Sequence, residues 1–188
     1  MSARLTGFRM SEPASIQRRV ESVIAPLVGK PLWDAGRAAD LLWLALGPRQ
    51  TIKDFRGKPR EVGEFALHVQ CAWRFVQGEK VLAGNRDLYY PRGYRDQKDE
   101  FPKGFDWDVK GANRCDEMLA ELFAGGANQF VVQRVEAGHA GEFALLLEGG
   151  LTLQIFPNDS LDGEHWRLFR PGSDEPHSVF TGQGFERH

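Results

Sequence analysis

The chain has 188 residues, 41% of them apolar and 27% charged, with 13 phenylalanines among them, which suits one domain burying roughly two-thirds of its unfolded surface and excludes an intrinsically disordered chain. A formal charge of −2, from 24 basic and 26 acidic residues, gives no field that recruits nucleic acid or anionic lipid along the chain. No apolar run approaches the roughly 20 residues of a membrane span, and the opening MSARLTGFRMSEPAS lacks a secretory apolar core, so a cytoplasmic protein with no membrane partner is expected.

Residues 1 to 14 are expected as a tail and 15 to 188 as a single domain. Ile16, Val20, Val23, Ile24 and Leu27 recur at helical spacing, which predicts an amphipathic helix over residues 15 to 27, capped by Ser15 or Ser11 and ended by Pro26 and Gly29. Residues 37 to 48, RAADLLWLALGP, fit a helix by spacing and a buried strand by their short run closed with Gly47-Pro48; a strand is chosen. Turn residues at 56 to 59 and 77 to 79 then separate β-rich runs into an antiparallel meander.

Residues 86 to 108 hold prolines, glycines, charges and a dense set of rings, and a loop this long in a small domain is usually functional or disordered. Cys115, Met118, Leu119, Leu122 and Phe123 trace one helix face, with Gly125-Gly126 as the stop. Residues 128 to 182 return to five strands. The expected fold class is α+β, a large curved antiparallel sheet of hairpins with two main helices packed on it.

In FALHVQCAWRF, residues 65 to 75, strand alternation sends Phe65, Leu67, Val69, Cys71, Trp73 and Phe75 to one face, and His68, Gln70 and Arg74 to the other. Among five apolar neighbours Cys71 should be a buried, poorly ionising thiol and not a nucleophile. In EHWRLFR, residues 164 to 170, His165 and Arg167 should share the face opposite Trp166, so His68, Gln70, Arg74, His165 and Arg167 are the candidate polar site, one basic concavity if the two strands meet. A solvated sheet face is the plainer reading.

The second candidate is a partner-binding loop built from Tyr89, Tyr90, Arg92, Tyr94, Arg95 and Trp107, rings and guanidinium groups of the kind that anchor protein interfaces. Its aromatics folding back onto the core is the competing reading. Asp106 and Asp108 are weak metal candidates beside a capping role for Asp108 or Asn113, and Asn158, Asp159 and Asp162 read as a turn. Cys71 and Cys115 form no CxxC pair, and the histidines at 68, 139, 165, 177 and 188 form neither HxH nor HExxH. With no GxGxxG or GxxxxGK[ST] either, no cofactor is expected.

LHVQCAWRF, LTLQIFPNDS and EHWRLF together make the chain, from about residue 20 to 182, resemble a widespread set of small bacterial proteins grouped as a conserved domain of unknown function. That resemblance implies a compact domain and transfers no activity. The expected function is non-enzymatic binding of a macromolecule, another protein rather than nucleic acid, with immunity proteins that neutralise toxins as an analogy from size alone. The alternatives are a hydrolase or small-ligand-binding enzyme with a His/Arg site on the sheet face, and a structural homodimer.

Overall fold

Apolar residues at every second position need a sheet with one face covered, and the chain builds one sheet that covers itself. The computed structural model describes residues 13–54, 56–96, 98–124 and 128–186. The strands are β1 (Pro31–Ala38), β2 (Leu41–Lys53), β3 (Pro59–Val69), β4 (Ala72–Gln77), β5 (Lys80–Gly84), β6 (Phe130–Ala137), β7 (Phe143–Leu147), β8 (Leu151–Phe156), β9 (Glu164–Phe169), β10 (Ser178–Thr181) and β11 (Gly184–Phe185). Among the described residues these eleven form one open antiparallel sheet in the order β11-β10-β9-β3-β2-β1-β6-β7-β8-β4-β5.

β3 and β4 stand far apart in that order, yet only Gln70 and Cys71 join them. The sheet must therefore curl until its two halves face each other. At the joint the carbonyl of His165 accepts the N–H of both Gln70 and Cys71, at 2.8 and 3.2 Å. Between the halves lie Leu44, Leu67, Phe75, Leu145, Leu153 and Trp166, all nearly inaccessible to solvent.

α1 (Pro13–Ile24) places Val20 and Ile24 in this core and continues as a 3-10 turn through Leu27. It begins two residues before Ser15, which therefore lies inside the helix and does not cap it; Ser11 falls outside the described residues. α2 (Arg114–Phe123) buries Cys115, Leu119 and Phe123 and is capped by Asn113, whose Oδ1 accepts the Asp116 N–H at 2.8 Å. It ends on Ala124 in the left-handed region, φ 43°; the expected stop at Gly125-Gly126 lies outside the described residues. Among the described residues no helix is long and apolar enough to cross a membrane.

Two expectations need correction. Residues 37 to 48 are β and not helix, as expected, but they span a hairpin rather than one strand, because Arg37 and Ala38 close β1 and the chain turns at Ala39-Asp40 before β2 starts. Residues 65 to 75 are two strands in different parts of the sheet, not one. Their alternation nevertheless runs unbroken across the bend, with Phe65, Leu67, Val69, Cys71, Trp73 and Phe75 all buried. Burial pushes the thiols of Cys71 and Cys115 up to about 12, which suits packing and not nucleophilic work.

Candidate functional site

The second face of β1, β2 and β3 is not plain solvated sheet. β2 carries a bulge at Gly47-Pro48, where the pairing steps from Leu46↔Phe65 to Arg49↔Gly63 and Gly47 adopts φ 80°. A β-carbon at Gly63 would stand 2.5 Å from the Leu46 carbonyl oxygen, so only glycine permits this close approach. β1 has its own bulge at Trp33, between Leu32↔Leu46 and Asp34↔Ala45. The Trp33 indole donates to the Gly47 carbonyl at 3.0 Å and carries the Arg49 guanidinium on its face at 4.2 Å. Bulges bend strands.

The result is a groove of about 630 Å³ along the outer face, floored by Trp33, Trp43, Ala45 and Ala66. Ile52 and Arg60 border it from the far part of the β2–β3 hairpin, and His68, Phe169 and Gly172 border it from β3 and the end of β9. Its volume and its mostly apolar lining with a few polar groups fall in the range of small-ligand pockets. Trp43 lies across Gly36, where a β-carbon would meet the indole at 2.5 Å.

The five residues expected on one polar face are only partly together. His68 and Arg167 are cross-strand partners in the β3–β9 ladder, and Gln70 follows on the same side. Arg167 binds Glu164 through both oxygens, and the Gln70 amide also reaches that carboxylate. Burial alone would raise the Glu164 carboxyl, but these contacts hold it below the usual range. The expected basic concavity is thus a neutralised patch.

His165 is absent from it. Two steps on β9, Glu164 to Trp166, match one step on β10, Thr181 to Phe180, so His165 is a bulge residue. Beyond a bulge the facing of side chains inverts, which puts Glu164 on the side of Arg167 and turns His165 inward, 2% exposed, with Nε2 3.2 Å from the Asp159 carbonyl. Arg74 sits on β4 in the other half, bonded to Gln154 at 2.6 Å and packed over Phe156.

His68 packs edge-on against Phe169, with ring centres 4.9 Å apart, and Phe169 stacks in turn on His177. Burial lowers the His68 pKa from the ordinary 6.5, and the Arg167 charge lowers it further. The unfolded imidazole takes its proton near 6.5 and the folded one only at lower pH. The contribution of His68 to stability is therefore present above the unfolded value and lost as pH falls through the folded one. A proton NMR titration should place the His68 midpoint below 6.5, and Arg167→Gln should raise it; a midpoint unmoved by that change would mean the two side chains do not sense each other.

The described residues of the 86 to 108 loop pack against α2. The Arg92 N–H donates to Ala112, the Arg114 N–H to Tyr90, and Arg95 grips Glu117 through both guanidinium nitrogens at 2.9 and 3.0 Å. Arg95 and the Gly93 N–H hold the Glu117 carboxyl at about 2. The rings neither splay out nor enter the core: Tyr90 stacks on Tyr94 at 5.1 Å, Tyr94 meets Phe101, Phe101 meets Phe105, and Tyr89 meets Trp107. Tyr89 and Phe101 stay about half exposed. Asp106 caps its own turn by accepting the Asp108 N–H, and Asp108 pairs with Arg37 at 3.2 Å, so neither caps α2. No group of three or more potential metal ligands occurs among the described residues.

Between this loop and the sheet lies a cleft of about 540 Å³, walled by Gly36 and Arg37 of β1, Leu119 and Ala120 of α2, and Asp108 and Lys110 of the loop. It shares Asp34 and Trp43 with the outer groove, and Arg92 with a hollow of about 370 Å³ inside the loop beside Lys103 and Phe105. Burial raises the Asp34 carboxyl against the Ala35 N–H that it accepts at 3.0 Å. Asp34, Trp43 and Lys110 were not expected from the sequence, since each adjoins the site only through strands distant along the chain. No family model, curated protein or solved structure matches the chain.

Proposed function

We propose that this is a non-enzymatic binding protein that takes a segment of another protein along the track formed by the outer groove, the cleft and the loop hollow. The observation that carries this reading is that neighbouring concavities share lining residues, Trp43 and Asp34 between groove and cleft and Arg92 between cleft and loop hollow. A small metabolite would fill one of them; a polypeptide segment can occupy all three. Indole and guanidinium groups along such a path, Trp33, Trp43, Arg60 and Arg92, are residue types that dominate protein interfaces.

A photo-crosslinking amino acid placed at Lys110 or Arg60 should give adducts with the bound partner, and one at Val81, exposed on β5 away from the track, should not. Trp43→Ala should weaken binding by about tenfold or more, as loss of a central aromatic anchor does, with the circular dichroism spectrum unchanged. Equal adduct yield from Val81, or full affinity in Trp43→Ala, would remove the reading. Binding confined to the outer groove, with a small molecule displacing it, would favour a small-ligand site around His68.

A further inference from the structure

The edge of β1 that faces away from β2 is incomplete. Pairing with β6 involves only Pro31 and Leu32, opposite Val131 and Phe130. Among the described residues no strand pairs with that side from Trp33 to Ala38. Instead the cleft opens there, and four successive residues, Asp34 to Arg37, border it. Alternate side chains of a strand face opposite ways, so four in succession can border one cavity only if the cavity runs along the main-chain edge.

The polarity of that edge follows from the hairpin. A two-residue turn at Ala39-Asp40 makes Ala38 and Leu41 a hydrogen-bonded pair, so Gly36 and Asp34 also bond toward β2, and Ala35 and Arg37 direct N–H and C=O into the cleft. Consistent with this, the Ala35 N–H is held by the side chain of its neighbour Asp34 and by no strand. Open edges of this kind are normally blocked or used. Here the opposite wall is a helix with Ala120 exposed at the cleft, whose volume of about 540 Å³ lies along this edge.

We infer that the free edge of β1 between Trp33 and Ala38 accepts an extended acidic peptide of a partner protein as an added strand, lying between β1 and α2. This deepens the binding function proposed above and rests on it. An extended peptide is the occupant that satisfies alternating main-chain donors and acceptors at Ala35 and Arg37. Its acidic character follows from the balance of charge on the walls: Arg37 is already committed to Asp116 and Asp108, which leaves Arg92 and Lys110, without an ion pair among the described residues, against the single carboxylate of Asp34. Addition of the strand gives the Ala35 N–H a carbonyl partner in place of the Asp34 carboxylate.

The test is panning of a phage library of random octapeptides on the full chain. Wild type should enrich sequences that alternate apolar and acidic residues, and Ala120→Trp, which fills the cleft from an exposed helix position, should lose them. Lys110→Glu should shift enrichment to basic residues. With the best enriched peptide as probe, hydrogen exchange should slow at the Ala35 and Arg37 amides, and N-methylation of its alternate amides should weaken binding by about tenfold. No enrichment that Ala120→Trp abolishes overturns the inference. Enriched peptides that bind through Trp43 but leave both amides unprotected also overturn it, while sparing the wider binding function; peptide binding indifferent to Trp43→Ala would count against that function instead.

Discussion

Trp166→Ala is expected to lower folding stability by about 4 kcal/mol, one of two large effects that the architecture predicts. The side chain is fully buried on β9, stacks on Phe180 with ring centres 5.4 Å apart, and meets Phe185 and Phe143 edge-on at 5.6 and 5.1 Å. Phe143 belongs to β7, far from β9 in the strand order. One indole therefore joins the two halves of the curled sheet. Its N–H donates to the Gly141 carbonyl at 3.0 Å, and Gly141, at φ 89°, has no room for a β-carbon because the Phe180 ring would lie 2.0 Å away. Alanine leaves a cavity in that stack and an orphaned buried carbonyl, two separate costs. Trp166→Phe keeps most of the ring contact and loses the hydrogen bond, so about 2 kcal/mol is expected. Chemical denaturation monitored by circular dichroism measures both as midpoint shifts with unchanged slope. A shift for Trp166→Ala no larger than about 1 kcal/mol, an ordinary single-substitution effect, would mean that the halves do not depend on this contact.

The fold class was legible because alternation survives most of the chain. Five strands of the second half and the apolar faces of both helices follow from spacing alone. The bend at Gln70-Cys71 left no mark, since it preserves the parity of the buried row and uses neither glycine nor proline. β1 went unread for the opposite reason: the bulge at Trp33 buries Leu32, Trp33 and Ala35 together and erases the two-residue period. The same device at His165 inverted the facing of residues on either side of it, which is why an imidazole expected beside Arg167 is in the interior and the unexpected Glu164 takes its place. Bulges add a residue to one strand without changing composition, so periodicity cannot locate them. The groove escaped notice because its residues come from β1, β2, β3 and the end of β9, and the ladders that assemble them are long-range pairings.

Arg37→Ala is the second large effect, and it acts on the cleft. Only 6% of the Arg37 side chain is exposed, against 13% for Asp116. The guanidinium Nε and Nη2 donate to the two Asp116 oxygens at 2.9 and 3.1 Å, Nη1 reaches Asp108 Oδ1 at 3.2 Å, and Nη2 also meets the carbonyls of Asp108 and Val109. One side chain thus ties β1 to the start of α2 and to the end of the long loop. Its removal leaves the Asp116 carboxylate nearly buried, with the Gly111 N–H at 2.6 Å as its remaining strong donor. Breaking one side of a buried pair costs about 3–5 kcal/mol, because the surviving charge keeps its desolvation penalty. Lysine should restore little, since one ammonium cannot reproduce the planar two-nitrogen grip. Arg37→Ala combined with Asp116→Asn should be less destabilised than Arg37→Ala alone, because the second change removes the orphaned charge. Denaturation midpoints give the energies, and trypsin cleavage at Lys103 and Lys110 reports whether the loop has come away from α2. If the single variant lost less than about 1 kcal/mol, as an exposed ion pair would, and the double variant lost more, then Arg37 would not be what keeps the cleft wall in place.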